Sequence, residues 1–184
     1  FPGGGVDRSD GGAEAQRVCS GLDARQASAR LGIADGGLAF YLAAIRECFE
    51  EAGVLLAADA TGQTLSLHEP ATQQRFAAYR AALNDGQTTL AAICEQEGLR
   101  LPLGDIHYYS HWITPEGMPR RYDTRFFLCR APVGQEPLHD GEETVDHCWV
   151  RPQDALARHA AGSFNLVPAT RKQLQFLARH ASVE

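Results

Sequence analysis

The sequence predicts an α/β fold in which a mixed β-sheet lies between helices. Two observations support this prediction. Hydrophobic residues recur at helical spacing in several segments that end at Gly or begin near Pro. Residues 106–129 are instead rich in aromatic and β-branched side chains, a composition typical of strands. The chain has 184 residues, of which 44% are hydrophobic, so we expect a single domain whose core needs no disulfide or structural metal.

The composition argues against several classes of partner. The net charge of −6 disfavours general binding to nucleic acid or to an anionic membrane. No apolar run approaches the roughly 20 residues that a membrane-spanning helix needs. The five cysteines are scattered and form no CxxC pair, which is typical of reduced thiols. We therefore expect a cytoplasmic protein with no nucleic-acid partner and no membrane partner.

Each predicted element has its own signal in the sequence. The clearest helix covers 38–52, and Gly53 is well placed to end it. Residues 106–113 and 121–129 predict a β-hairpin with a long loop that contains Pro and Gly. Further helices are predicted at 24–31, 70–84, 87–98, 152–159 and 168–180, and a further strand at 144–150.

Three carboxylates lie on one side of the predicted helix 38–52. At about 100° per residue, Glu47, Glu50 and Glu51 share an arc of about 100°. The apolar residues cluster on the opposite side, so we expect one face in the core and the carboxylate face directed outward. These apolar residues are Leu38, Leu42, Ile45, Phe49 and Ala52.

This acidic cluster has two interpretations. Like charges at these spacings repel by roughly 0.2–0.5 kcal/mol per pair, and a solvated acidic face is the ordinary interpretation. A divalent cation would instead turn the cluster into a ligand set, because hard cations prefer carboxylate oxygens. The adjacent Arg46 is placed to hold one carboxylate in a bidentate pair.

The segment around the cluster resembles a known motif. Residues 46–53 read Arg-Glu-x-x-Glu-Glu-x-Gly, which resembles the helical half of the Nudix box, and residues 1–4 resemble the loop before that box. The resemblance implies a Nudix-type α/β/α sandwich that binds Mg²⁺ or Mn²⁺ through Glu47, Glu50 and Glu51. It also implies that Arg46 orients the cluster, and that the backbone of Gly3 and Gly4 lies beside the metal and the substrate.

The motif departs from the family pattern in two places. The family places a Gly about fourteen residues before the box Arg, whereas Gly4 precedes Arg46 by 42 positions, so an insertion must separate loop and helix. A Glu is usual eight residues before the Arg, but Leu38 stands there. We further predict a helical insertion at about 70–98. Because the fold normally has a strand before the loop, we expect that residues precede Phe1.

Several segments resemble one branch of the family, the branch that contains the coenzyme A diphosphatases. These segments are residues 1–10, 111–115, 119–127 and 165–171.

Thr114 and Arg121 lie in these segments and are candidates for substrate binding. Arg121 is suited to a substrate phosphate. Strand alternation places Arg121 and Arg125 on one face with Asp123, however, which makes a structural Arg–Asp ion pair the stronger interpretation. Glu143 matches a late acidic residue of Nudix proteins and either binds a second metal, activates water or is solvated.

The predicted activity is metal-assisted hydrolysis of a diphosphate linkage in a small-molecule substrate of the nucleoside-diphosphate type. Mg²⁺ or Mn²⁺ would neutralise the diphosphate oxygens and lower the pKa of water, and Glu50 or Glu143 would accept the proton. The branch resemblance favours coenzyme A or an acyl-coenzyme A as substrate. ADP-ribose or another nucleoside diphosphate is an alternative substrate, and a catalytically inactive Nudix-like ligand-binding module is an alternative of a different class. For the oligomeric state, the hypothesis to test is a homodimer.

Overall fold

The computed structural model describes residues 1–138 and 147–181. This part of the chain contains both helices and short strands. The elements are α1 (Ala13–Arg17), β1 (Cys19–Ser20), α2 (Ala24–Leu31), α3 (Gly37–Ala52), α4 (Pro70–Asn84), α5 (Leu90–Glu97), β2 (Leu101–Pro102), β3 (His107–Ile113), β4 (Asp123–Leu128), α6 (Pro152–Ala160) and α7 (Pro168–Leu177). Short 3₁₀ turns lie at Ser9–Gly11 and Leu103–Asp105.

The described residues divide into two compact units. The larger unit contains 2–109, 127–138 and 147, and the smaller unit contains 1, 110–126 and 148–181. In the larger unit β1 and β2 pair in parallel, with Cys19 opposite Leu101. The strands β3 and β4 pair with each other and form the predicted hairpin. In the smaller unit α6 and α7 pack together and bury Ala155 and Leu174.

The helix α3 runs through the core of the larger unit. It begins against α2, where the N–H of Gly37 donates to the Ser28 hydroxyl at 3.0 Å. It ends as predicted at Gly53, which has a φ of 67° and so adopts the left-handed conformation that favours glycine. Four of the five residues of the predicted apolar face are buried and Ala52 is half-buried. Each fully buried large side chain on this face contributes roughly 1.5–3 kcal/mol. The position of the carboxylate residues is therefore set by a well-packed helix.

The helices predicted at 70–84 and 87–98 are present as α4 and α5. Pro70 occupies the first turn of α4, and the hydroxyl of Thr89 accepts from Ala92 N at 3.2 Å to cap α5. Phe76 and Ile93, one from each helix, are buried in the same core as α3. The two helices therefore pack with the helix that bears the carboxylates. That they form an insertion stays a prediction.

The strand predicted at 144–150 is not formed where the chain is described. Residues 147–150 have no regular structure, and residues 144–146 lie outside the described residues. Trp149, which lies in this segment, is 69% exposed. Among the helices that the structure describes, none is long and apolar enough to cross a bilayer.

Candidate active site

The candidate site lies at the C-terminal half of α3, where the N-terminal segment 2–12 folds over the acidic face. The N–H of Gly3 donates to Glu51 Oε2 at 3.3 Å, and the carbonyl of Gly5 accepts from Arg46 Nη2 at 2.7 Å. Glu47 and Glu51 are consequently only 9% and 8% exposed. The prediction that this face is directed outward is wrong, because helical periodicity shows which residues share a face but not what covers it.

Gly4 makes the closest approach between the loop and the helix. A Cβ atom at this position would lie 2.5 Å from Oε1 of Glu47 and 2.7 Å from its Cδ. Such distances are too short for any side chain, so the loop reaches the carboxylate only because residue 4 is glycine. Gly3 and Gly4 thus lie beside the acidic cluster. Their predicted role beside a metal and the substrate stays a prediction.

Arg46 is the centre of the site. Its Nη1 atom donates to Oε1 of Glu47 at 2.9 Å and to Oε2 of Glu50 at 2.5 Å. One guanidinium therefore contacts two of the three predicted metal ligands and is placed to orient them. The third, Glu51, is held instead by the loop backbone at Gly3.

Asp10 is a site residue that the sequence reasoning missed. Its carboxylate is only 3% exposed, and it accepts from Nε of Arg46 at 3.1 Å and from Nη2 at 3.1 Å. The Asp7 N–H donates to the same carboxylate at 2.8 Å. The available signal was its place within residues 1–10, one of the segments that resembles the family branch.

The site carries an excess of negative charge. Three carboxylates, those of Asp10, Glu47 and Glu50, contact the guanidinium of Arg46. With Glu51, which accepts from Gly3 N, the cluster has a formal charge of −3 when all four carboxylates and Arg46 are ionised. Burial raises the pKa of Glu50, and the nearby charge of Arg46 only partly offsets this effect. Burial by itself would lower the pKa of Arg46, but the hydrogen bonds and charges of its carboxylate partners raise it, so the guanidinium stays charged.

This donor set has the chemistry of a divalent-cation site. Three glutamates on one helix offer hard oxygen ligands, and their excess charge is what a dication neutralises. Within residues 1–138 and 147–181, no group of three His, Cys, Asp or Glu side chains is arranged so that it could hold a metal ion. In this arrangement Glu47 and Glu50 each direct an oxygen to Arg46. The metal assignment of Glu47, Glu50 and Glu51 therefore stays a prediction.

Thr114 and Arg121, two further predicted site residues, belong to the smaller unit. In the smaller unit, Arg121 Nε donates to the carbonyl of Thr114 at 3.1 Å, and the Thr114 hydroxyl accepts from Tyr122 N at 3.0 Å. The Arg–Asp pair that strand alternation favoured is made by Arg125 and Asp123, at 3.2 Å. These contacts close the hairpin loop, and the substrate role of Arg121 and Thr114 stays a prediction. Glu143 lies outside the described residues.

Comparison with known proteins agrees with this combination of fold and acidic helix. Residues 1–177 match a family model described as the NUDT19 Nudix domain. A crystal structure of a NUDIX hydrolase from Alicyclobacillus acidocaldarius matches with a TM-score of 0.75 and 30% sequence identity, covering 100% of this chain and 77% of that chain. The chain therefore belongs to the Nudix hydrolase family and has its α/β fold, as predicted.

Within the family, the chain matches the group that the NUDT19 Nudix domain defines. It is 32% identical over 165 residues to a Gallus gallus protein named acyl-coenzyme A diphosphatase NUDT19, covering 80% of this chain and 43% of that protein. It is also 32% identical over 157 residues to the Homo sapiens protein of the same name, covering 79% of this chain and 40% of that protein. The chain thus spans less than half the length of these relatives.

Proposed function

We propose that this protein hydrolyses the diphosphate linkage of coenzyme A or an acyl-coenzyme A in a reaction that depends on Mg²⁺ or Mn²⁺. The observation that carries the proposal is the acidic cluster formed by Glu47, Glu50 and Glu51 of α3 together with Asp10, in which three of the four carboxylates contact the guanidinium of Arg46. The names of the relatives, acyl-coenzyme A diphosphatase, support this choice of substrate.

Glu47, Glu50 and Glu51 would hold the cation. When bound, the cation supplies positive charge beside the diphosphate oxygens and lowers the pKa of water. Burial of Glu47 and Glu51 favours this role, because an excess of negative charge is most costly where water is excluded. A bound cation would thus offset the electrostatic repulsion among these buried carboxylates.

The chain's own residues prepare the site for an in-line attack of water on phosphorus. Asp10 holds Arg46, and Arg46 in turn limits the rotamers of Glu47 and Glu50. Glu50 would accept the proton from water, because burial brings its pKa closer to neutrality than that of an ordinary glutamate. Glu143 is the second candidate for proton acceptor.

Arg121 and Thr114 would bind the substrate. The guanidinium of Arg121 is partly engaged, since its Nε atom donates to the Thr114 carbonyl. This contact fixes the side chain in one orientation, which suits recognition of a phosphate. An Arg121→Ala variant should raise KM with little change in kcat if the role is ground-state binding.

The test measures product release from coenzyme A, acetyl-coenzyme A, ADP-ribose and NADH with Mg²⁺, Mn²⁺ or EDTA. We expect metal-dependent cleavage of a coenzyme A substrate, which Glu50→Gln and Glu51→Gln abolish. Glu95→Gln is the matched control, because Glu95 is exposed and pairs with Arg17 on the surface.

The remaining outcomes separate the alternatives. Preferential cleavage of ADP-ribose or NADH would keep the site and overturn the substrate. Binding of these ligands without turnover by a folded protein would overturn the enzymatic proposal in favour of an inactive binding module. Wild-type rates in both Glu variants would overturn the assignment of the site.

A further inference from the structure

The carbonyl groups at the end of α3 have partners from outside the last turn. The carbonyl of Ala52 accepts from Leu138 N at 2.9 Å. The carbonyl of Glu50 accepts from Nε of Arg80 at 2.8 Å, and Arg80 comes from α4, thirty residues further along the chain. Carbonyls at a helix C-terminus have no partner within the helix, so these contacts fix where the helix ends.

Gly53 accommodates the Arg80 side chain. A Cβ atom on Gly53 would lie 3.1 Å from Nη1 of Arg80 and 3.5 Å from its Cζ. Gly53 therefore serves two purposes: its φ of 67° ends the helix, and its lack of a side chain lets the guanidinium lie against the helix end. The last glycine of the box motif is thus in contact with a residue outside the motif.

The local electrostatics favour a positively charged side chain, such as that of Arg80, at the C-terminus of α3. A helix C-terminus carries partial negative charge, and the acidic cluster that precedes it adds a formal charge of −3. Glu50 is consequently held at both ends by arginines, at its carboxylate by Arg46 and at its carbonyl by Arg80. The backbone and the side chain of this one glutamate are fixed independently.

We infer that Arg80 is a positioning residue for the candidate site. By holding the carbonyl of Glu50, it sets the orientation of the last turn of α3, from which Glu50 and Glu51 project. The metal-affinity part of this inference rests on the proposed function, whereas the effect on the helix end does not. Arg80 also lines a cavity of about 180 Å³ together with Phe49 and Phe76, so a shorter side chain leaves space and creates no clash.

The experiment compares Arg80→Ala and Arg80→Lys with Arg75→Ala. Arg75 is the matched control because it lies on the same helix and makes an exposed ion pair with Glu97. The first measurement is amide hydrogen exchange in the metal-free protein at Gly53 and Val54, whose N–H groups bond to Phe49 and Cys48. The second measurement is the affinity for Mn²⁺ by calorimetry.

We expect Arg80→Ala to speed exchange at Gly53 and Val54 while amides of α5 keep their wild-type rates. Loss of a group that supports a metal ligand weakens metal affinity or activity by about 10–100-fold, and we expect roughly the lower end of that range for Mn²⁺, because Arg80 acts through the backbone. Arg80→Lys should recover part of both effects, since an ammonium group can also donate to the Glu50 carbonyl. Arg75→Ala should match the wild type in both.

Unchanged exchange at Gly53 and Val54 in Arg80→Ala would overturn the inference. Faster exchange along the whole chain would also overturn it, because Arg80 would then support stability in general. Local loosening with unchanged Mn²⁺ affinity would overturn the positioning of the metal ligands. If the wild type binds no Mn²⁺, the proposed function fails, and the exchange data alone decide the role of Arg80.

Discussion

Arg46 and Asp10 form a buried two-point ion pair across 36 positions of the sequence. Nε of Arg46 donates to Asp10 Oδ1, and Nη2 donates to Oδ2, both at 3.1 Å. The pair connects the N-terminal loop to α3. Asp10 is thus the third carboxylate partner of Arg46, beside Glu47 and Glu50. The loop and the acidic helix therefore behave as one structural unit.

Removal of the Asp10 charge tests this connection. In Asp10→Asn, Arg46 loses a buried charged acceptor, and the free energy of unfolding should fall by roughly 1.5–3 kcal/mol. Urea denaturation at neutral pH measures the change. Asp7→Asn is the control, since Asp7 is exposed and its carboxylate accepts from the N–H and the hydroxyl of Ser9 on the surface. Equal unfolding midpoints for Asp10→Asn and the wild type would contradict the prediction.

The close approach of the loop to Glu47 is tested by Gly4→Ala, with Gly5→Ala as the control. Gly4→Ala places a Cβ atom 2.5 Å from Oε1 of Glu47, so either the loop or the carboxylate must move. We expect turnover to fall by about 10–100-fold, the usual effect of displacing a catalytic group by a fraction of an ångström. Gly5→Ala should retain its activity, because a Cβ at that position meets nothing within 4 Å. Similar rates in the two variants would show that the close approach of the loop is unimportant for catalysis.

The excess charge of the cluster predicts that Glu50→Gln is inactive and yet more stable than the wild type. The variant keeps the shape of the side chain and removes one of four crowded carboxylates, whose ionisation is opposed by burial. In EDTA at neutral pH we expect Tm to rise by about 2–4 °C for each kcal/mol of relieved repulsion. Thermal unfolding of Glu50→Gln and of the surface control Glu95→Gln provides the measurement. A lower Tm for Glu50→Gln would mean that the contact with Arg46 outweighs the repulsion.

A pH-dependent contribution to stability is expected from Glu97. Partial burial raises the pKa of Glu97, but the hydrogen bonds from Arg75 and Tyr79, at 2.9 and 2.8 Å, outweigh burial and hold the pKa below its usual value near 4.5. Because the pKa is lower in the folded state, this stabilisation is present above pH 4.5 and is lost as the pH falls through the lowered pKa.

The corresponding measurement is the Tm of Glu97→Gln as a function of pH. At pH 7 the variant should unfold about 1–3 °C below the wild type, a small effect because Arg75 is exposed. The difference should shrink steadily below pH 4.5. Glu116→Gln, in the exposed hairpin loop, should follow the wild type throughout. A difference that stays constant down to pH 3 would rule out an effect of the Glu97 charge.

The sequence alone determined the features that depend on near neighbours in the chain. Hydrophobic spacing and a terminal glycine predicted α3 almost to the residue, and the same signals predicted α4 and α5. Helical geometry also placed Glu47, Glu50 and Glu51 on one face, and the order of residues 46–53 indicated the family. These properties follow from contacts within one or two turns of the helix, which a linear reading captures.

Only the tertiary structure decided how these residues are surrounded. The burial of the acidic face by residues 2–12, the pairing of Asp10 with Arg46 and the contact of Arg80 with Glu50 all join segments far apart in the chain. No local pattern encodes such contacts, because they depend on the path of the backbone between the segments. The same reason explains the error at residues 147–150, because the formation of a predicted strand depends on a neighbouring strand and a covered face.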